Sequence, residues 1–390
     1  MKINSLTKIR TWKGKTVFLR VDFNVPLVKG KVGEDHKILA GLETVKFLAD
    51  KGARVIVATH LGEPVKAAAA YSVKPVAARL RILLKRPLKF IPQLKIASIA
   101  KAAAKMMPGE IIVLENLRFH PGEYENDAAF AKELASLADV YVNEAFAVCH
   151  RAQASVAAIK KYLPSYAGLS LEKELLALNK ILRPRKPLVI IMGGAKIKTK
   201  APLIARLYDR ADMMLIGGAL ANNFFKFQGR EIGRSLMDDD SAATVKKFFK
   251  NKKLAAKIML PSDVIVKTVN GLVRVKSPHD VNEDEIILDI GPETVAAFAA
   301  KIKTAQTLVW NGPLGKFEED SFKHGTLTIA RLVASRSSGR AYGVVGGGET
   351  VAALKITKLD GYVDWVSAAG GAMLTYLGGG KMPGLTKIVS

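Results

Sequence analysis

Residues 341–354 read AYGVVGGGETVAAL. An apolar run from Ala341 to Val345 meets Gly346, Gly347 and Gly348, then Glu349 and Thr350, then more apolar residues. Bare backbone at a strand end lets N–H groups face an anion, and a helix starting there adds its positive end. A carboxylate and a hydroxyl beside such a loop suit a phosphate that carries a metal ion.

Other polar residues recur at the ends of apolar runs. In the first half, TVFLRVDF leads into Asp22 and Asn24, and RVIVATH ends at His60. EIIVLEN leads into Asn116 and Arg118, and DVYVNEA ends at Asn143 and Glu144, followed by His150 and Arg151. The second half offers mostly glycine and lysine: Gly193 and Gly194 with Lys196 and Lys200, Gly217 with Gly218, and Asn311 with Gly312. Basic and hydrogen-bonding side chains suit a small anion. Bare backbone with lysines suits a polyphosphate lying against helix starts. Two ligand sites of this kind imply transfer between two ligands, with closure excluding water. No GxxxxGK[ST] loop and no GxGxxG fingerprint occurs, so neither a Walker-type nor a dinucleotide site is expected.

The elements that must hold these residues alternate. Short apolar runs such as PLVIIMGG (187–194) and DMMLIGG (212–218) precede helical stretches such as APLIARLYDRA and ALANNFFKF. KIMLPSDVIV (257–266) reads as one further strand, followed by TLVWNG, YGVVGGG and DWVSAAGG. Continuous apolar strands alternating with helices predict an α/β fold with parallel sheets covered on both faces. The expectation is two doubly wound, Rossmann-like domains joined by a hinge helix. The domains are read as 1–168 with about 380–390, and 187–379. The hinge is 169–186, where LEKELLALNKILRPRKP begins amphipathic and ends in a proline-broken basic stretch. In open sheets of this type, ligands bind beyond the carboxyl ends of the strands, where the polar residues fall.

Composition bounds the function classes. The chain has 390 residues, enough for two or three domains. Its 49% hydrophobic and 24% charged residues fit a soluble globular enzyme. No apolar run approaches the ~18 residues of a membrane span, and the N-terminal stretch lacks an apolar signal core. Cys149 is the only cysteine, which excludes an intrachain disulfide and a thiolate zinc site and fits a reducing cytoplasm. The net charge of +25 draws anions: phosphorylated metabolites, nucleotides or nucleic acid. A solvated basic surface is the simpler explanation, as in VKKFFKNKKLAAK, and no zinc-knuckle, RNP-like or helix-turn-helix signature occurs.

Structural readings stand beside the functional ones. Asp22 and Asn24 are turn formers before Pro26. His60 fits a hydrogen-bonded histidine at a strand end, Arg118 and Arg151 fit surface ion pairs, and Gly346 to Gly348 fit a tight turn. Lys196, one residue beyond two glycines, points out of a strand end and is the hardest to explain structurally. Cys149 reads as a small buried residue.

Taken in order, RVDFNVPL, LENLRFHPGEYEND, ADVYVNEAF, HRAQAS, GGAKIKTK, LDIGPETV, WNGPLGKFE and VVGGGET resemble the phosphoglycerate kinase family over nearly the whole chain. The resemblance implies reversible phosphoryl transfer from 1,3-bisphosphoglycerate to Mg-ADP, giving 3-phosphoglycerate and Mg-ATP. It assigns substrate binding to Asp22, Asn24, His60, Arg118 and Arg151. It assigns nucleotide binding to Gly194, Lys196, Lys200, Gly218, Asn311, Glu318, Gly346, Gly347, Gly348, Glu349 and Thr350, with Glu349 reaching the Mg²⁺. Lys196, Lys37 and Arg151 are the implied catalytic residues. The C-terminal tail is expected to return to the first domain. A cytoplasmic monomer with small-molecule partners and no membrane attachment is implied.

The family pattern is broken in places. Lys37 and Glu63 each stand where the family has an arginine. A lysine keeps the charge but loses the planar fork. Glu63 reverses the local charge, with Lys66 as the candidate to offset it. Glu349 replaces an aspartate, Thr199 an acid, and Ala219 a glycine. Ala368 and Ala369 stand in a threonine-and-glycine run, and Glu144 and Ala147 alter the motif around them. The same fold with lost or changed catalysis is the alternative function, including a nucleic-acid-binding one through the basic surface.

Overall fold

The computed structural model describes residues 1–238 and 241–390. The chain divides into two compact units, Met1–Leu176 with Lys381–Ser390, and Ala177–Gly380. The division falls inside the helix Leu169–Leu182, within the segment read as the hinge.

Unit one is built on β1 (Thr16–Val21), β4 (Arg54–Ala58), β5 (Lys89–Ile91), β6 (Ile111–Leu114), β7 (Val140–Glu144) and β8 (Ser165–Ala167). They pair in parallel in the order β5-β6-β4-β1-β7-β8. Every residue of β1 is buried, as expected of a central strand with helices on both faces. Val17, Leu19, Val55, Val57, Val113 and Val142 form the middle of the core, and Val45, Leu48, Val76 and Leu80 come down from the helices His36–Asp50 and Lys74–Leu84. A small hairpin of β2 (Leu27–Val28) and β3 (Lys31–Val32) turns through Lys29 and Gly30. The C-terminal segment lies in this unit. Ile3 bridges Val389, Asn4 N donates to Ile388 O at 2.8 Å, and Asn143 Nδ2 donates to Gly384 O at 3.0 Å. The Lys160 ammonium donates to Pro383 O and, at 2.9 Å, to Thr386 Oγ1.

Unit two carries β9 (Leu188–Met192), β10 (Met213–Ile216), β11 (Ile258–Met259), β15 (Thr307–Asn311), β16 (Tyr342–Gly346) and β17 (Trp365–Ser367). Their order is β11-β10-β9-β15-β16-β17, all parallel. The strand order reverses direction between β9 and β15, a topological switch point where such sheets open a crevice. Trp310, Ile191, Leu215, Val345 and Phe298 are fully buried in its core.

One expectation is corrected. Residues 257–266 are not one strand. Pro261 cannot supply a ladder N–H, and the run splits there. Ile258–Met259 joins the parallel sheet, whereas β12 (Val264–Thr268) enters an antiparallel three-stranded sheet with β13 (Val273–Lys276) and β14 (Glu285–Ile290), in the order β13-β12-β14. This sheet is an addition to the doubly wound pattern. Among the described residues, no helix is long and apolar enough to cross a membrane.

Candidate active site

In unit one the polar residues gather beyond the carboxyl ends of β1, β4, β6 and β7. Asp22 follows β1 directly. Its Oδ2 accepts from Lys37 Nζ at 2.9 Å, and its Oδ1 lies 3.9 Å from His60 Nε2. Lys37 comes from the first turn of His36–Asp50. The preceding Asp35 leaves that turn uncapped, because its carboxylate is held by Arg79.

His60 is buried, and its Nδ1 lies 3.2 Å from Arg20 NH2. Arginine can only donate, so Nδ1 accepts and the proton sits on Nε2, the nitrogen that faces Asp22. Burial pushes the His60 pKa well below its usual value, and the cations Arg20, Arg118, Lys37 and Arg151 push it further down. The ring is therefore neutral near pH 7 and can donate from Nε2 without adding charge.

Arg20 is the floor of this cluster. It is wholly buried, donates from Nε to Ser155 Oγ at 2.8 Å and from NH1 to Val21 O at 2.6 Å, and lies 3.9 Å from Glu123 Oε1. Ser155 in turn donates from Oγ and N to Glu123. The sequence reading missed Arg20, because an arginine inside an apolar strand carries no spacing signal.

Asn24 and Arg118 converge on one residue, Gly62. Asn24 Oδ1 accepts from Gly62 N at 2.9 Å, and Arg118 NH1 donates to Gly62 O at 2.5 Å. Arg118 is buried, and its Nε has no hydrogen-bond partner among the described residues. Next along the chain, Glu63 Oε1 accepts from Arg151 NH1 at 2.7 Å and lies 3.7 Å from Arg118 NH1. The hydrogen bond and charge of Arg151, then the charge of Arg118, hold the Glu63 pKa below its usual value. Lys66, the sequence's candidate for offsetting Glu63, is exposed; the two arginines offset that charge. The five substrate-site residues expected from the sequence thus lie in one cluster with Lys37, above the buried Arg20.

Unit two presents helix starts. The helices Ile197–Leu207, Ala219–Phe227, Gly348–Ile356 and Gly370–Leu377 begin after β9, β10, β16 and β17, and none has a side-chain cap on its first N–H groups. Lys196 is the exposed residue preceding the first of them. Lys200 is buried, with its Nζ beside Gly194: a Cβ on that glycine would lie 3.3 Å from it. Burial lowers the Lys200 pKa, and the nearby Glu349 carboxylate partly offsets this. Glu349 and Gly348 are exposed at the start of their helix.

Two glycines there are dictated by geometry. Gly312 has φ +94°, and a Cβ on it would lie 2.3 Å from Gly193 O. Gly347 has φ +101°, and a Cβ would lie 2.9 Å from Asn311 Nδ2. Side chains are excluded by both the backbone conformation and the space.

Asn311 and Thr350 were expected to contact nucleotide. In the structure one polar atom of each meets the backbone: Asn311 Nδ2 donates to Gly346 O at 2.7 Å, and Thr350 Oγ1 accepts from Gly312 N at 2.6 Å. Both brace the glycine loops. Thr199 likewise donates to Lys196 O. Beside these loops lies a cavity of about 420 Å³, bordered by Gly194, Gly218, Glu318 and Glu349 from the sequence reading. Its apolar wall, including Phe225, Leu236, Val264, Leu288 and Leu314, was not anticipated. A flat apolar group attached to a phosphate chain fits that combination.

Cys149 is buried, and burial pushes its thiol up to about 12, so it is not a nucleophile. Among the described residues, no group of three or more His, Cys, Asp or Glu side chains could hold a metal ion.

The family model described as "Phosphoglycerate kinase" matches residues 6–380. The phosphoglycerate kinase of Moorella thermoacetica is 42% identical, with 96% of each chain covered. That of Borreliella burgdorferi is 39% identical, with 99% of each chain covered. Among solved structures, phosphoglycerate kinase from Coxiella burnetii superposes with a TM-score of 0.88 at 36% identity, covering 99% of each chain. With a whole-length family match and relatives near 40% identity, the chain belongs to the phosphoglycerate kinase family.

Proposed function

We propose that this chain catalyses reversible phosphoryl transfer from 1,3-bisphosphoglycerate to Mg-ADP, yielding 3-phosphoglycerate and Mg-ATP. Family membership carries the reading and favours it over a same-fold protein without catalysis. The cationic cluster of Lys37, Arg118 and Arg151 beside Asp22, Asn24 and His60 supports a phosphorylated carboxylic acid as the partner in unit one. The apolar cavity beside uncapped helix starts supports a nucleotide in unit two.

Phosphoryl transfer needs little covalent help, because positioning and charge neutralisation do most of the work. His60, neutral with its proton on Nε2, donates a hydrogen bond to the substrate. Asp22 takes a substrate hydroxyl while it orients Lys37. Lys37, Lys196 and Arg151 offset charge on the transferred group, and helix N–H groups hold the nucleotide phosphates. Mg²⁺ belongs to the nucleotide substrate. A single exposed carboxylate, Glu349, fits an ion that takes most of its remaining ligands from phosphates and water. The paired Lys37 and Asp22 support retained catalysis despite the lost arginine, since the ammonium keeps a fixed position. We further place the protein in the cytoplasm, as a monomer hinged at 169–186.

The test is steady-state turnover with Mg-ATP and 3-phosphoglycerate, with Lys196→Ala as the control. Turnover lost in that control supports the reading. Absence of turnover in the unsubstituted protein, with Mg-ADP still bound, overturns it.

A further inference from the structure

Among the described residues, Glu63 is the one acid in an ion pair with the two arginines of the anion cluster. Its Oε1 accepts from Arg151 NH1 at 2.7 Å and lies 3.7 Å from Arg118 NH1. The cluster itself holds it there. Asn24 takes the N–H of Gly62 and Arg118 its carbonyl, so the residue leading into Glu63 is held through the peptide groups before and after it. The carboxylate is 65% exposed, which leaves it room to swing away. It also satisfies the arginines incompletely: Arg118 is 4% exposed and its Nε keeps no hydrogen-bond partner among the described residues. A tetrahedral anion has more acceptor oxygens than a carboxylate and a higher charge, so it competes with Glu63 for the guanidinium groups of Arg151 and Arg118.

We propose that Glu63 is a built-in competitor that fills the Arg118–Arg151 pair until a substrate phosphate displaces it, and so sets the affinity for the phosphorylated acid. The assignment of these arginines to the substrate phosphate rests on the function proposed above. Displacement ends one exposed ion pair and leaves a like charge near the bound phosphate. Both effects weaken binding, each modestly because water screens the site. Glu63 therefore acts on KM, and removing its charge tightens the site.

The experiment compares the unsubstituted full chain with Glu63→Gln, using Glu133→Gln on an exposed helix face as the control for net charge. KM for 3-phosphoglycerate is measured at fixed ionic strength, and the Kd of inorganic phosphate by titration calorimetry without nucleotide. Glu63→Gln is expected to lower both by about five- to twentyfold, with Glu133→Gln unchanged. An unchanged or raised phosphate Kd in Glu63→Gln overturns the proposal, whether or not the protein turns over. Tighter phosphate binding without turnover in any variant supports Glu63 as the competitor and overturns the assigned reaction instead.

Discussion

Lys37 Nζ and Asp22 Oδ2 are 2.9 Å apart, and the other oxygen of Asp22 faces His60 Nε2. One carboxylate thus aims a cation and a neutral ring donor at the same space. Lys37→Met removes a charge that Asp22 has already positioned. We expect kcat to fall by about 10²- to 10³-fold, as on loss of one preorganised electrostatic donor. Lys37→Arg keeps the charge and should retain most of the rate. Steady-state kinetics of the two variants side by side decide this.

His60 gives a pH dependence with a defined sign. Its folded pKa lies well below the unfolded value of about 6.5. Above that value both states are neutral and His60 contributes nothing. As pH falls below it, the unfolded state takes up a proton that the folded state resists, so stability is lost on acidification. Urea midpoints between pH 7 and pH 5 should fall less steeply in His60→Gln than in the unsubstituted protein. Parallel slopes in the two proteins would contradict the buried neutral ring.

The Arg20–Ser155–Glu123 network is fully buried. Glu123→Ala leaves the Arg20 charge unpaired in the core, and the Ser155 hydroxyl and N–H without their acceptor. Breaking a buried pair in this way costs about 3–5 kcal/mol. Urea unfolding should show a loss of that size for unit one.

Thr350 braces the glycine loop at Gly312. Thr350→Val keeps the shape but leaves the buried Gly312 N–H without an acceptor, a loss of about 1–3 kcal/mol. We expect a lower melting temperature and a raised KM for ATP in the valine variant, with Thr350→Ser restoring both. A valine variant with unchanged KM would separate the brace from the nucleotide site.

Much of the site was legible because its parts fall at strand ends, where an apolar run stops at a polar residue or a glycine. Asp22, His60, Arg118, Lys196 and Gly346 to Gly348 stand out in that way. Roles were harder to read than positions. Asn311 and Thr350 look like ligand groups in sequence, and the fold adds that each also satisfies a backbone group of the glycine loops. Arg20 was invisible because its partner Glu123 lies far along the chain, in a different element. Glu63 announced a charge reversal, but only the fold puts it on Arg151 and Arg118. The apolar wall of the cavity comes from separate elements, Phe225 on a helix and Val264 and Leu288 on the antiparallel sheet, which no single stretch brings together. That sheet was itself missed, because its exposed Val273 and Val275 face opposite the pattern of a buried parallel strand.

Unit one is completed by Lys381–Ser390, which follows the whole of unit two in the sequence. On the ribosome the first unit therefore waits for its last piece while the second is made, for tens of seconds at ~5–20 residues per second. Through that interval Lys160 lacks its Pro383 and Thr386 acceptors, and Asn143 lacks Gly384. A nascent chain stalled just short of residue 381 carries a first unit that still lacks these contacts after the second has been fully synthesised.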